Sequence, residues 1–116
     1  MGKNKLMNAV VRLFPLCTMV FPGEANAAPT VTPSGSVTSL EGGWINANLR
    51  VQTDFGWTNP EGCSLTDGYM VDVADQGHEL FSSMLISAFT AGRHVRFVLD
   101  GCAYDRPRII AVTLVQ

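Results

Sequence analysis

Two histidines, a run of carboxylates and a pair of cysteines are the residues of this chain that could do covalent or metal chemistry. His78 and His94 are its only histidines, 16 positions apart. A zinc site would need further Cys, His or carboxylate ligands at tight spacing, and the cysteines are expected to be spent on each other. No metal and no cofactor is therefore expected. The chain has no Gly-x-Ser-x-Gly element, and no Ser-His-Asp set can be assembled from local sequence. Asp72, Asp75 and Glu79 resemble an acidic pair for glycosidic chemistry. Their positions read instead as a strand edge, a turn and a helix start, so no catalytic residue and no enzyme is expected.

Binding chemistry is better represented. Trp57 and Tyr104 stand in polar loops rather than in periodic apolar runs. Sugar rings stack their C–H faces on aromatic rings, and neighbouring Asn, Asp and Arg side chains bond to hydroxyls. Asn59 beside Trp57, and Asp105 and Arg106 beside Tyr104, supply such groups. Two structural roles compete with that reading. Trp57 would cap one end of a small barrel, and Tyr104 would pack beside a disulfide.

The N-terminus has the form of a secretory signal peptide. Lys3 and Lys5 precede a mostly apolar run from Leu6 to Phe21, and Ala25-Asn26-Ala27 has the small-x-small form of a cleavage site. Residues 1–27 are thus expected to be removed, leaving a secreted or periplasmic protein. The apolar run is too short and too broken, by Arg12 and Pro15, for membrane insertion. Beyond residue 27 only Cys63 and Cys102 remain, and an even pair in an exported domain reads as a disulfide. Closing a loop of about 40 residues contributes roughly 4 kcal/mol in the chain-entropy treatment. The same region carries five arginines, no lysine and nine carboxylates, a net charge of −4. Phosphate is bound mainly by cationic side chains, so nucleic acid is a poor partner.

These residues must be positioned by a small domain. Residues 28–36, rich in Pro, Thr and Ser, read as an extended or flexible lead-in. Val37 to Leu40 begins a strand. Trp44 to Thr53 alternates Ile45, Ala47, Leu49 and Val51 against Asn46, Asn48, Arg50 and Gln52, the period of a half-buried strand. Gly68 to Ala74 reads as a third strand. Glu79 to Ala91 carries Leu80, Met84, Leu85, Ala88 and Phe89 as a helical stripe, with Gly92 placed to cap it. Val95, Phe97 and Leu99 mark a fourth strand. Arg108 to Val115 is a fifth, apolar on both faces and expected to be buried on both. The order β-β-β-α-β-β over 37–116 predicts a mainly β domain with one helix, the five-stranded Greek-key barrel of the OB-fold.

In its Gly43-Trp-Ile45 start, its Asn59-Pro-Glu-Gly-Cys63 turn and its Tyr69-Met-Val-Asp72 segment, the chain resembles the B subunits of bacterial AB5 toxins. The likeness is to the subtilase cytotoxin and typhoid toxin branch and to related small exported proteins. It extends through Met84 to Gly92, Val95 to Cys102 and Pro107 to Val112. The resemblance implies an OB-fold subunit that binds a cell-surface glycan without catalysis. It also implies a homopentamer with helices lining a pore, and a toxin A subunit as partner. The family's sugar-contacting serine near the first strand has its nearest counterparts in Ser34 and Ser36. The alternative is a stand-alone exported interaction or inhibitor protein with no sugar ligand.

Overall fold

A computed structural model describes residues 28–43 and 45–116. The expected signal peptide, residues 1–27, lies outside the described residues, as does Trp44. Six strands and one helix follow in the order β1 (Thr30–Val31), β2 (Gly35–Gly42), β3 (Leu49–Thr53), β4 (Tyr69–Val71), α1 (His78–Ala91), β5 (His94–Ala103) and β6 (Arg106–Val115). The described residues are mainly β with one helix, as their periodicities predict.

The strands close on themselves. β2 pairs antiparallel with β3, and β3 with β4. β4 meets β6 in parallel through Met70 and Arg108. β6 then pairs antiparallel with β5, which returns to β2. Inside the circuit lie Val95, Phe97 and Leu99 of β5, Val51 of β3, Tyr69 and Val71 of β4 and Ile109 of β6, each at most 1% exposed. Leu85 and Ala88 of α1 join the same core. Tyr69 and Phe97 meet edge to face at 5.4 Å, and Phe55 packs on both.

The lead-in is built into the sheet. Thr30 and Val31 pair with Leu99 and Val98, and Gly35 and Ser36 with Val95 and His94. Thr32 bridges the two stretches. It is 4% exposed; its amide donates to Phe97 O at 2.9 Å, and its Oγ1 accepts from the Phe97 amide at 3.0 Å. One hydroxyl thus satisfies a buried strand amide that would otherwise lack a partner. Gly35 is required by crowding, since a Cβ there would meet Asp54 Oδ1 and lie 2.9 Å from Phe55.

The second strand is shorter than its alternation predicts. Residues 45–47 are bends, Ile45 is 84% exposed, and β3 begins at Leu49. Local hydrogen bonding overrides the period of two. Gly43 takes φ 80°, its amide donates to Asn48 O, and Asn46 Oδ1 accepts from the Asn48 amide at 3.0 Å. The third strand likewise keeps only Tyr69–Val71, because Asp72 Oδ1 accepts from the Ala74 amide and turns the chain.

β6 is not buried on both faces. Pro107, Ile109 and Val112 are buried, Ile110 and Ala111 are half-buried, and Thr113 and Leu114 are exposed. Val98 pairs with Ala111 and Leu99 with Ile109, so Ile110 is an extra residue in β6. That bulge shifts which side chains point inward, and no alternation in the sequence could reveal it.

α1 begins without a side-chain cap, on Gly77, and ends on Gly92 in the left-handed conformation at φ 69°. Phe81 and Met84 pack against the core, while Leu80, Ile86 and Phe89 are exposed. The Cys63–Cys102 disulfide ties the loop before β4 to the end of β5, with Cα atoms 5.8 Å apart.

Candidate functional site

Two connections meet at one end of the strand circuit. The connection between β2 and β3 brings Ile45 and Asn48. The β5–β6 hairpin brings Tyr104 and Asp105. They line a groove of about 670 Å³ together with Arg50, Leu65, Met70 and Arg106.

The hairpin is unusual. Ala103 pairs with Arg106, so Tyr104 and Asp105 are the whole turn, and both have positive φ, 52° and 67°. Two-residue hairpins of this kind favour Asn-Gly, because a Cβ is crowded at positive φ. Local bonds hold the turn: Tyr104 O accepts from Arg106 Nη1 at 3.1 Å, and Asp105 O accepts from the Leu65 amide at 2.9 Å. Tyr104 is thereby held 47% exposed, its Oη accepting from Asn46 Nδ2 at 3.2 Å. Tyr104 and Asp105 thus hold a backbone conformation that side chains other than glycine seldom adopt.

The base of the groove is an ion network. Arg106 grips Asp67 with Nε to Oδ1 at 2.5 Å and Nη2 to Oδ2 at 2.9 Å. Arg50 donates from Nη1 to Asp67 Oδ2 at 2.9 Å and from Nη2 to Glu41 at 2.5 Å. Gln52 Nε2 donates to Asp67 O at 3.1 Å. The hydrogen bond from Arg106 is the main reason that the Asp67 carboxyl sits at about 2, well below its ordinary 3.8. Asp67 is therefore fixed as an anion. Its position just before Gly68 follows from a close approach: Gly68 has φ 144°, and a Cβ there would lie 2.8 Å from Val51 O.

A second groove of about 310 Å³ adjoins the first at Asp67, which lines both. Trp57 forms part of it, 41% exposed, with its other face on Tyr69 at a centroid distance of 4.8 Å. Burial pushes the Tyr69 phenol up, and its oxygen accepts from the Thr58 amide at 3.0 Å.

Tyr104, Asp105 and Arg106 thus come together in the first groove, and Trp57 stands in the neighbouring one. Asn59 does not join them: its Oδ1 accepts from the Cys63 amide and its Nδ2 donates to Cys63 O, at 2.8 and 2.9 Å. It shapes the disulfide loop. Ser34 is exposed and Ser36 half-buried on the β1–β2 side, and neither lines either groove. Asp75 pairs with Arg108 at 2.7 Å. His78 Nδ1 lies 2.9 Å from Asp75 O in the turn before α1. Sequence reasoning missed Glu41, Arg50 and Asp67 as site residues. Arg50 had a signal, standing on the polar face of its strand. Asp67 had none, because its partners lie 17 and 39 residues away.

Comparison with protein-family models, curated proteins and solved structures finds no match for the chain.

Proposed function

We propose that the protein is an exported, non-enzymatic binding module of the OB-fold type that recognises a glycan in the groove between Tyr104 and the β2–β3 loop. A helix between the third and fourth strands of a closed circuit, with a parallel pair between β4 and β6, fits that barrel. OB-folds bind oligosaccharides and oligonucleotides on the face and loops where this groove lies. The net charge of −4 beyond residue 27 favours the sugar.

The single observation that carries the reading is Tyr104, half-exposed at positive φ in a groove also lined by the paired Arg50, Asp67 and Arg106. An aromatic plate beside oriented hydrogen-bonding groups suits a sugar ring. Asp67 is ill suited to the acid role in glycosidic hydrolysis. A glycosidase needs a carboxyl that is protonated near its working pH, and Asp67 at about 2 is not one. A glycan array probed with the purified protein tests the reading. Retention of a defined glycan class is expected, and loss of that signal in Tyr104→Ala. No retention by a folded protein contradicts it.

The resemblance to toxin B subunits extends the proposal to self-assembly. Leu80, Ile86 and Phe89 leave 60%, 53% and 49% of their surface exposed on α1, an apolar cost that a neighbouring copy would relieve. Light scattering at micromolar concentration is expected to give a mass above the monomer; a clean monomer removes this part.

A further inference from the structure

We infer that the ligand is an uncharged oligosaccharide of at least two sugar units, running from Tyr104 across Asp67 to Trp57. The inference rests on reading the groove as a glycan site, and it adds both the charge and the length of the glycan.

Charge follows from how the cations are spent. The first groove is lined by two guanidinium groups, Arg50 and Arg106, and three carboxylates, Glu41, Asp67 and Asp105, a balance of −1. Arg106 gives two donors to Asp67 and a third to Tyr104 O. Arg50 is divided between Glu41 and Asp67. A sialic acid carboxylate or a sulfate would have to share each guanidinium with a carboxylate already paired to it, and would meet Asp105 as well. Asp67 is also the only charged residue lining the second groove. Hydroxyls, in contrast, are suited by what remains free: carboxylate oxygens as acceptors and Thr38 and Thr66 as exposed hydroxyls along the second groove.

Length follows from the shared wall. Asp67 lines both grooves, so the two share one wall. Among the described residues each groove has one half-exposed aromatic, Tyr104 at 47% and Trp57 at 41%. The inner face of Trp57 is covered by Tyr69, leaving the outer face for a ligand. Two plates on either side of a polar ridge fit consecutive sugar units better than a single ring.

The test uses the full chain on an array of neutral mono-, di- and tetrasaccharides beside sialylated and sulfated forms of the same cores, followed by titration of each neutral length that is retained. Neutral di- and tetrasaccharides are expected to bind, with roughly tenfold or weaker affinity for their sialylated forms and for the monosaccharide. Tyr104→Ala is expected to weaken every length. Trp57→Ala is expected to cancel the gain with length. Because Trp57 packs on Tyr69, Thr38→Gln serves as a second variant: it fills the second groove from an exposed strand position and is expected to act like Trp57→Ala. Binding that requires sialic acid or sulfate, or a gain with length that survives both variants, overturns the inference and leaves the glycan-binding reading standing. A folded protein that retains no glycan overturns both.

Discussion

Asp67 and Arg106 face each other as a two-pronged ion pair, Nε to Oδ1 at 2.5 Å and Nη2 to Oδ2 at 2.9 Å. The pair crosses 39 residues of sequence and joins the chain before β4 to the start of β6. It fixes the floor of the groove, and it makes stability depend on pH in a definite direction. Asp67 titrates at about 2 when folded, against an ordinary 3.8. Its stabilising contribution is therefore present above about pH 4 and is lost as pH falls through 2. Water reaches the carboxylate, whose side chain is 44% exposed, so the contribution is about 1 kcal/mol or less. Urea midpoints taken from pH 6 to pH 2 are expected to fall below pH 4 in the wild type, and to fall less in Asp67→Asn.

The hairpin gives a sharper test, because it sets stability against binding. Tyr104 and Asp105 both adopt positive φ. Replacing them together by Asn and Gly supplies the residues that such a turn favours, and should stabilise the fold by about 1 kcal/mol. The same change removes the aromatic plate. Thermal unfolding is expected to move up by a few degrees, roughly the shift that such a gain produces in a small domain, while ligand binding is lost. A loss of stability would show that the Tyr104 side chain holds the turn rather than serving a ligand.

How much could be read in advance depended on whether a contact was local. Val95, Phe97 and Leu99 alternate without interruption, and all three are buried as their spacing predicts. Gly92 caps α1 where its position suggests. Cys63 and Cys102 are joined. Readings failed where a side chain or an inserted residue reset the period. Asn46 bends the segment that reads as the start of β3, and the bulge at Ile110 turns β6 over midway. Tyr104, Asp105 and Arg106 stand out in the sequence because three polar or aromatic residues sit together in a loop, and all three line the groove of the candidate site. Glu41, Arg50 and Asp67 complete the same site from three separate segments, and only the closed strand circuit brings them together. Asn59 looks the same in sequence, yet both ends of its amide are taken by Cys63.

Thr32 is the least conspicuous residue with a large expected effect. Its hydroxyl is the acceptor for the buried Phe97 amide. Thr32→Val keeps the volume and removes that acceptor, which should destabilise the fold by about 1–3 kcal/mol. Hydrogen exchange at Phe97 is expected to quicken more than at Val95 or Leu99. Unchanged protection at Phe97 would mean that the β1 edge does not anchor β5.

The disulfide closes a loop between residues 39 apart. Cys63→Ser with Cys102→Ser should cost roughly 4 kcal/mol. Leu65, whose amide donates to Asp105 O, lies two residues beyond the bridge, so the variant is also expected to loosen the groove rim. Calorimetry under oxidising and reducing conditions checks the first effect, with the double variant matching the reduced wild type.

The most direct measurement is titration of the full chain, wild type and Tyr104→Ala, with a neutral glycan retained on the array, followed by amide chemical shifts. Saturable binding is predicted, with shift changes at Arg50, Asp67, Tyr104 and Arg106 and their disappearance in the variant. Shift changes confined to α1, or equal binding by the two proteins, would contradict a glycan site built on this groove.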